Sequence, residues 1–286
     1  MSTFAFVILH YNTVDDTCAC ISSIRKNIKG AEYKIVIVDN GSSNGTGDLL
    51  AKKFCKDDDI ILLQSKENVG FARGNNIGYE YAKKWLKVEF IVLLNSDTEL
   101  LDNTFVSLVD SEYKQSNFAV LGPKVMWRDG YLGSNPQRNT VVKAKECIIF
   151  NIIILWYLFL NCVCLDKFWK AHFARSRHHE GLSHDIRQEN VQLHGCFWVF
   201  SPIYVNMYDG LFPGTFLYRE EEFLFFRLRQ SNLKSVFLPD ITILHKCGGA
   251  TKNAIPQSRK RRRFKYFQMF KSTCLLYKLV KNDVPI

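Results

Sequence analysis

Several features that would place this chain in a familiar class are absent from its sequence. No basic segment precedes the apolar start at "MSTFAFVILHYN", so we expect no signal peptide. The nine Cys residues follow no even small-domain spacing, and the pairs Cys18/Cys20 and Cys162/Cys164 are too closely spaced for a zinc-binding CxxC. We therefore expect reduced thiols and a cytoplasmic protein.

Acidic residues are absent from residues 252 to 281, a segment that holds ten of the 38 Lys and Arg residues. The other 28 basic residues equal the 28 acidic ones in number, so the net charge of +10 belongs to this stretch around "SRKRRRFKYF". Such a basic segment is typical of contact with nucleic acid, with anionic lipid or with water alone.

The hydrophobic fraction of 47% is high enough for a folded core, and 286 residues allow one large domain or a domain with an appendage. Strand-like and helix-like segments alternate at the start of the chain, with apolar strands at "FAFVILHYN", "YKIVIVDN", "DIILLQ" and "FIVLLN". This alternation predicts βαβ units, and therefore an α/β fold with a mostly parallel sheet.

Polar residues follow each of these strands. They are Tyr11 and Asn12, Asp39 and Asn40, residues 65–68, and residues 95–97. Because the carboxyl ends of parallel strands meet at one edge of a sheet, these residues predict a ligand crevice there. The segment "NSD" at 95–97 has two interpretations: a turn, since Asn, Ser and Asp are common turn formers, or a metal or phosphate site.

Residues 147 to 165 form the most apolar window of the chain, with Asn151 and Asn161 as its only strongly polar members. Its 19 residues are borderline for a transmembrane helix, and a buried core helix is a second interpretation. We favour a third, an amphipathic helix that lies in a membrane surface or docks on an apolar groove. Residues 166 to 190, which are polar and rich in His and Arg, are expected to form a mobile loop.

Seven segments resemble family 2 glycosyltransferases of the GT-A fold, and they occur in the order of that family. They are "VILHYN", "IVIVDNGSSNGT", "NVGFARGNNIG", "FIVLLNSDTEL", "LHGCFWVF", "FLYREEEFLFFRL" and "ILHKCGGAT". They extend over about residues 4 to 251 and are most similar to bacterial rhamnosyltransferase-type members, which build O-antigen and capsular polysaccharides. The QxxRW signature of processive synthases is absent, so the resemblance implies a non-processive enzyme.

The resemblance implies a GT-A (Rossmann-like) fold, a mostly parallel central sheet flanked by helices, with a carboxyl-terminal helical extension that associates with a membrane. It divides the glycosyltransferase domain, residues 1–251, into a nucleotide-binding half at 1–100 and an acceptor-binding half at 101–251. The apolar insert 147–165 lies in the second half, and residues 252–286 form the basic carboxyl-terminal tail.

The donor nucleotide is expected at the first two strand ends. Tyr11 can stack on a base, although a surface Tyr is the alternative. The resemblance implies that Asp39 binds the N–H edge of uracil or thymine, and the same carboxylate can also cap its own turn. A UDP- or dTDP-sugar is therefore the expected donor.

The loop "NVGFARGNNIG" is expected to hold the rest of the donor. Glycines allow the backbone to approach a ligand, and the start of the following helix favours anions. We expect donor contacts from Asn68, Gly70, Arg73 and Asn76, with Arg73 at a phosphate. The loop lacks GKS or GKT, which disfavours an NTPase.

"NSD" occupies the place of the family's DxD-like motif. The resemblance implies that Asp97 is the direct ligand of a divalent cation, Mn or Mg, which stabilises the leaving diphosphate. Asn95 and Ser96 would contact the sugar or the groups that surround the cation and its ligand Asp97. His245 resembles a late His near the same metal, where an imidazole ligand favours Mn²⁺; a structural histidine is the alternative.

"YREEEF" places an acidic run at the start of a predicted helix. The resemblance implies that Glu221 is the general base for the acceptor hydroxyl and that Glu220 contacts an acceptor hydroxyl or the neighbours of the base. Glu222 is the alternative base, and complementation of the helix dipole is the structural alternative for all three. Arg227, one turn or more further on, can pair with one of them.

"LHGCFWVF" resembles the family segment that lines the acceptor side. His194, Gly195 and Trp198 are the candidate acceptor-binding residues. A Trp ring can stack on a sugar, and a core position is the alternative.

We therefore expect an inverting, metal-dependent, non-processive glycosyltransferase that extends a lipid-linked saccharide at the inner face of a bacterial cell membrane, in cell-surface polysaccharide synthesis. A lipid-linked acceptor and a peripheral membrane contact account for both the apolar window and the basic tail. Two alternatives are a nucleic-acid-binding protein that uses the basic tail and a catalytically inactive scaffold. The first leaves the strand-end residues unexplained, so we expect no nucleic-acid partner.

Overall fold

Strands and helices alternate through most of the chain. The computed structural model describes residues 2–128, 130–133, 135–173, 182–246 and 257–286. The strands are β1 (Thr3–His10), β2 (Glu32–Asp39), β3 (Ile60–Gln64), β4 (Phe90–Asn95), β5 (Thr98–Leu100), β6 (Val120–Trp127), β7 (Gln188–Glu189), β8 (Phe197–Phe200) and β9 (Ser235–His245). The helices are α1 (Val14–Asn27), α2 (Thr46–Lys53), α3 (Phe71–Tyr81), α4 (Phe105–Ser116), α5 (Ala144–Cys162), α6 (Asp166–Phe173), α7 (Pro202–Met207), α8 (Glu220–Gln230) and α9 (Ser258–Asn282).

The strands form one sheet in the order β3-β2-β1-β4-β8-β6-β9-β5, with β7 paired to β9. The pairs β1/β2, β1/β4 and β2/β3 are parallel, as the alternation of strands and helices predicts. β8 runs antiparallel to both β4 and β6, while β6 is parallel to β9. The α/β class and the mostly parallel sheet flanked by helices are confirmed.

Both faces of the sheet are buried, which is why its strands are apolar throughout. In β1, Phe4, Phe6 and Ile8 enter one core cluster, while Ala5 and Val7 enter the cluster on the opposite face. Helix α3 packs so closely on the second face that a Cβ at Gly78 would overlap the side chain of Val7. The sheet is therefore fixed between two packed layers.

The apolar window forms α5, and α5 packs along α9. Tyr157 of α5 stacks on Tyr266 of α9 with ring centroids 5.5 Å apart. At one end of this pair, Arg262 of α9 donates a hydrogen bond of 2.9 Å to Asp166, which follows α5. A third core cluster joins both helices to α8, through residues that include Cys147, Phe223 and Leu276. The carboxyl-terminal segment is helical from Ser258, and residues 252–256 of the expected tail lie outside the described residues.

The outer face of α5 carries exposed apolar side chains, which we call the apolar stripe. Each is between 42% and 62% exposed: Ile148, Ile149, Ile152, Leu155, Trp156, Phe159 and Val163. Within the described ranges, α5 is the one helix long and apolar enough to cross a membrane, and only 22% of its apolar window is buried. The alternative of a buried core helix is therefore wrong.

The expected mobile loop at residues 166–190 is wrong in its first part, because α6 occupies Asp166–Phe173. Asp166 is buried at the start of this helix, and the hydrogen bond from Arg262 lowers its pKa to about 2. An acidic residue in the first turn complements the helix dipole. Residues 174–181 of the expected loop lie outside the described residues.

Candidate active site

The ends of β1 and β2 bring the two predicted base-binding residues to the same edge of the sheet. Asp39 is buried, and its Oδ1 accepts a 3.1 Å hydrogen bond from the backbone N–H of Ser42, so it caps its own turn. A Cβ at Gly47 would overlap the other carboxylate oxygen. The carboxylate therefore lies against the start of α2, where the helix dipole favours negative charge. Tyr11 lies just beyond β1 and is partly exposed.

The glycine-rich loop is held by its own amides. The Oδ1 of Asn68 accepts hydrogen bonds from the backbone N–H of Gly70 at 2.9 Å and from the Nδ2 of Asn40 at 3.1 Å. Gly70 has a φ of +90°, and a Cβ there would overlap the carbonyl oxygen of Phe216. Both facts require glycine at this position. The loop thus lies directly against residues 216–219, which precede α8.

Two predicted donor contacts lie on another surface of α3. The Nε of Arg73 donates to the carbonyl of Pro213 at 2.9 Å. The side-chain amide of Asn76 donates to the carbonyl of Leu211 at 2.8 Å and accepts the N–H of the same residue at 2.7 Å. Both residues line a cavity of about 430 Å³ beside Tyr208. The structure does not bring them together with Asp97, and their contact with a donor stays a prediction.

The predicted metal ligands do lie together. Strand β5 follows "NSD" and pairs with the end of β9, so that Thr98 is opposite His245. This pairing places Nε2 of His245 3.2 Å from Oδ1 of Asp97, with both side chains largely buried. Ser96 is buried and its hydroxyl contacts that of Thr13 at 3.2 Å. A carboxylate and an imidazole at this distance form a pair that fits Mn²⁺; in the described part of the chain they belong to no larger group of metal-ligating side chains.

His194 lies beside His245 and lines the same cavity as the acidic run. Its ring lies 5.8 Å from the ring of His245, and its Nδ1 accepts the N–H of Cys196 at 3.1 Å. Burial, followed by His245, lowers the pKa of His194 to about 4. The neutral ring is therefore the stable form at neutral pH.

The three glutamates at the start of α8 have three different surroundings. Glu220 is buried and accepts a hydrogen bond from the hydroxyl of Thr215 at 3.2 Å. Glu221 accepts the backbone N–H of Gly195 at 3.1 Å. Glu222 forms an ion pair with Arg219. The run therefore does more than complement the helix dipole.

Burial sets the pKa values of these carboxyl groups. Desolvation, followed by repulsion from Glu221, raises the pKa of Glu220 to about 8. Desolvation also raises the pKa of Glu221, while Arg219 opposes that rise. Carboxylates with raised pKa values suit general-base catalysis near neutral pH.

One cavity of about 360 Å³ joins the predicted residues from both halves of the chain. Its predicted members are Asn95, His194, Gly195, Glu220, Glu221 and the alternative base Glu222. Its further members include residues that the sequence did not single out for this site, among them Phe71, Phe150, Arg219 and Met269. The cavity thus combines a strand end with an acidic helix start and an aromatic wall.

Two expectations need correction. Trp198 is fully buried in the core cluster on one face of the sheet, so it does not face an acceptor. Arg227 does not pair with the acidic run; its Nη1 donates to the hydroxyl of Tyr204 at 2.8 Å and to the carbonyl of Gly210 at 2.6 Å. Trp198 follows His194 and Gly195 into β8, and Arg227 follows the acidic run along α8, but both side chains are buried in the interior.

Arg219 lines the cavity but was not among the residues predicted from the sequence, although the sequence contains an indication of its role. Its spacing from Glu222 is that of an i,i+3 helical pair, which favours an ion pair. Phe150 of α5 and Met269 of α9 gave no such signal, because only the packing of these distant helices brings them to the cavity.

Comparison with known proteins relates the chain to sugar-transferring enzymes. A family model described as "Glycosyl transferase family 2" matches residues 5–164. The low-salt glycan biosynthesis hexosyltransferase Agl10 of Haloferax volcanii is 28% identical over 131 residues, which are 46% of this chain and 39% of that protein. Glycosyltransferase GlyG of Streptococcus pneumoniae serotype 4 is 25% identical over 116 residues, or 41% of this chain and 37% of that protein. The matches therefore span well under half of either relative.

Solved structures share the fold. The crystal structure of S. aureus TarS 1-349 in complex with UDP superposes with a TM-score of 0.55 and 13% identity, over 96% of this chain and 66% of that chain. The corresponding complex with UDP-GlcNAc gives a TM-score of 0.54 at 13% identity, over 96% of this chain and 67% of that chain. Because it covers 96% of this chain, the likeness extends past residue 164, where the family model ends.

Glu220→Gln is expected to remove a pH-dependent loss of stability. Because the pKa of Glu220 is raised from 4.5 to about 8, the folded state binds more protons than the unfolded state between these values. The free energy of unfolding of the wild type therefore falls as pH rises through this window, and it should fall less in the variant. Urea denaturation at about pH 5 and about pH 8 measures the difference.

Glu32→Gln, at the exposed start of β2, is the matched control and should follow the wild type. Identical pH dependence in Glu220→Gln and the wild type would contradict the raised pKa of Glu220.

Proposed function

Because the chain belongs to glycosyl transferase family 2, we propose that it transfers a sugar from a nucleoside-diphosphate sugar to a saccharide hydroxyl, with inversion at the anomeric carbon. The observation that carries this proposal is the shared cavity, which is lined by Asn95 from the end of β4 and by Glu221 from the start of α8. A donor held at the strand ends and an acceptor beside a carboxylate would meet in this one space.

Glu221 is the proposed general base. Its carboxylate takes the proton of the acceptor hydroxyl while the hydroxyl oxygen bonds to the anomeric carbon. The bond between that carbon and the diphosphate oxygen breaks, and the nucleoside diphosphate leaves with the electron pair. The N–H of Gly195 holds the carboxylate at 3.1 Å, and its raised pKa makes it a stronger base.

Tyr11 and Asp39 are the proposed contacts of the nucleotide base. Both follow neighbouring strands at the edge where open α/β sheets bind ligands. A carboxylate can accept the N–H of uracil or thymine, so the donor is a UDP- or dTDP-sugar. The UDP and UDP-GlcNAc complexes of TarS, which has the same fold, support the uridine nucleotide.

Asp97 and His245 are the proposed holders of a divalent cation, Mn²⁺ or Mg²⁺. The donor set fits, because a carboxylate oxygen and an imidazole nitrogen lie 3.2 Å apart at adjacent strand ends. When bound, the cation neutralises the charge of the departing diphosphate. Asn95 and Ser96 would hold the sugar or orient the carboxylate.

The acceptor is proposed to be a lipid-linked saccharide, extended non-processively at the inner face of the cell membrane in the synthesis of a cell-surface polysaccharide such as O-antigen or capsule. The support is the apolar stripe of α5 beside the basic helix α9, which suits an anionic bilayer surface. Lys260, Lys271 and Lys278 are exposed and share one face of α9 by helical spacing. Phe150 and Met269 connect these two helices to the cavity.

Part of the basic run makes contacts within the protein. The Nε of Arg259 donates to the carbonyl of Asn161 at 3.0 Å, and Arg262 pairs with Asp166. These contacts hold α9 on α5, which weakens the alternative of nucleic-acid binding through the tail.

Glu221→Gln is expected to lower turnover by about 10²- to 10⁴-fold, because the amide keeps the size of the side chain but cannot accept the proton. Donor affinity should stay near the wild-type value, since Tyr11, Asp39 and Asp97 are proposed to hold the donor. Steady-state transfer and calorimetric donor binding measure the two effects, with Glu32→Gln as the unaffected control. An active Glu221→Gln beside an inactive Glu220→Gln or Glu222→Gln would reassign the base.

Asp97→Asn is expected to abolish turnover and to weaken binding of Mn²⁺, because the amide is a poorer ligand for a hard cation. A chelator should have the same effect on the wild type, and added Mn²⁺ should reverse it. Manganese binding is followed by electron paramagnetic resonance, independently of activity. Full activity in excess chelator would contradict the role of the cation.

Ile152→Ser combined with Phe159→Ser is expected to weaken binding to neutral and anionic vesicles alike, since both side chains belong to the apolar stripe. Lys271→Glu combined with Lys278→Glu should weaken only anionic binding, because each basic residue near such a surface contributes about 1 kcal/mol. Vesicle co-sedimentation measures both. Trp85→Ser is the control, since Trp85 is 74% exposed outside the stripe.

Unchanged vesicle binding in all these variants would contradict the membrane contact. If the stripe instead pairs two copies of the chain, the Ile152 and Phe159 changes would lower the mass measured by light scattering.

A further inference from the structure

The loop before α8 has an unusual backbone. Tyr218 and Arg219 have φ values of +73° and +76°, so two successive residues other than glycine adopt the left-handed conformation. Such residues persist only where the surrounding structure holds them, and they concentrate at functional sites. The contacts that hold this loop therefore indicate which residues support the site.

Two elements hold the backbone of the loop. The N–H of Phe71, at the start of α3, donates to the carbonyl of Phe216 at 2.7 Å. The hydroxyl of Ser272, on α9, donates to the carbonyl of Leu217 at 3.0 Å. The loop is thus fixed between the glycine-rich donor loop on one side and α9 on the other.

The side chain of Arg219 contacts three helices, of which α8 and α5 are additional to α9. Its Nη1 pairs with Glu222 of α8, and its Nε donates to the hydroxyl of Thr273 of α9 at 3.2 Å. Its guanidinium lies over the ring of Phe150 of α5, 3.8 Å from the centroid. A planar guanidinium can make all three contacts at once, whereas the ammonium of lysine cannot.

We propose that Arg219 is a positioning residue that ties the α5/α9 pair to the start of α8 and so aims Glu221 into the cavity. The inference rests on the proposed function, in which Glu221 is the base. The ion pair between Arg219 and Glu222 fixes the rotation of the first turn of α8 about the helix axis. In that orientation the carboxylate of Glu221 accepts the N–H of Gly195. The hydroxyl of Thr273 orients the guanidinium, although Thr273 does not line the cavity.

The charges around Glu221 support this role. Glu220 and Glu222 flank it on α8, His194 and Gly195 face it from the segment before β8, and Glu146 and Cys147 of α5 lie near the Arg219–Glu222 pair. Arg219 lowers the pKa of both Glu221 and Glu222 against the effect of burial. Loss of its charge should therefore raise the pKa of the base.

Thr273→Val and Thr273→Ser form the matched pair that tests the proposal. Valine keeps the shape of threonine but removes the acceptor for Arg219, so turnover should fall by up to about 10²-fold with the Michaelis constant for the donor unchanged. Serine keeps the hydroxyl and should retain most of the wild-type turnover. Equal turnover in the valine variant and the wild type, or equal losses in valine and serine, would overturn the proposal.

The variant Arg219→Gln tests the effect of the Arg219 charge on the pKa of Glu221. The acid limb of the pH profile of kcat/KM should move to higher pH, and Arg219→Lys should restore the position of that limb but not the full turnover. An unmoved acid limb in Arg219→Gln would overturn the proposal. Thermal unfolding of each variant identifies any loss of folding.

A measurement that does not depend on enzyme activity distinguishes a failure of this inference from a failure of the proposed function. Carbon-13 NMR of labelled glutamate carboxyl groups should show higher pKa values for Glu221 and Glu222 in Arg219→Gln than in the wild type. Absence of transfer by the wild type with every sugar nucleotide would contradict the proposed function, whereas unchanged carboxyl titrations in the variant would contradict the role of Arg219.

Discussion

The arrangement of the site depends first on the antiparallel pairing of β4 with β8, which is one of four antiparallel pairings in the described sheet. Because the two strands run in opposite directions, the carboxyl end of β4 lies beside the amino end of β8, and the N–H of Asn95 donates to the carbonyl of Cys196 at 3.0 Å. This bond brings His194 and Gly195 next to "NSD". Gly195 in turn holds Glu221, so the strand ends and the acidic run come together through one pair of strands.

The sequence was sufficient for the parts of this arrangement that local pattern controls. Strands and helices alternate in the first half of the chain because each strand is covered by the helix that follows it, and the polar residues after each strand lie at one edge. The pairing of Asp97 with His245 was predicted only through resemblance to a family, since 148 positions separate them in sequence. No local pattern indicates that β5 and β9 are neighbours.

The predictions for Trp198 and Arg227 were wrong for a related reason. In "FWVF" all four side chains of β8 are buried, because both faces of the sheet are covered, so alternation gives no information about which residue faces the site. Arg227 lies beyond the acidic run on the same helix, and its partners Tyr204 and Gly210 belong to a different segment. The i,i+3 spacing of Arg219 from Glu222 indicates an ion pair, but it does not indicate the left-handed backbone of Arg219, which only the surrounding helices hold.

The acidic run shows why neighbouring residues of one type need not share a role. A helix start favours negative charge, yet three carboxylates in succession repel one another, and burial disfavours the ionised form of each. The structure resolves this conflict by giving each glutamate a different partner: a hydroxyl for Glu220, a backbone N–H for Glu221 and a guanidinium for Glu222. The ion pair keeps one charge in place, and the repulsion and burial at Glu220 favour its protonated form at neutral pH. Glu221 lies between them and lines the same cavity, and its partner is a backbone N–H, which supports its proposed role as the proton acceptor.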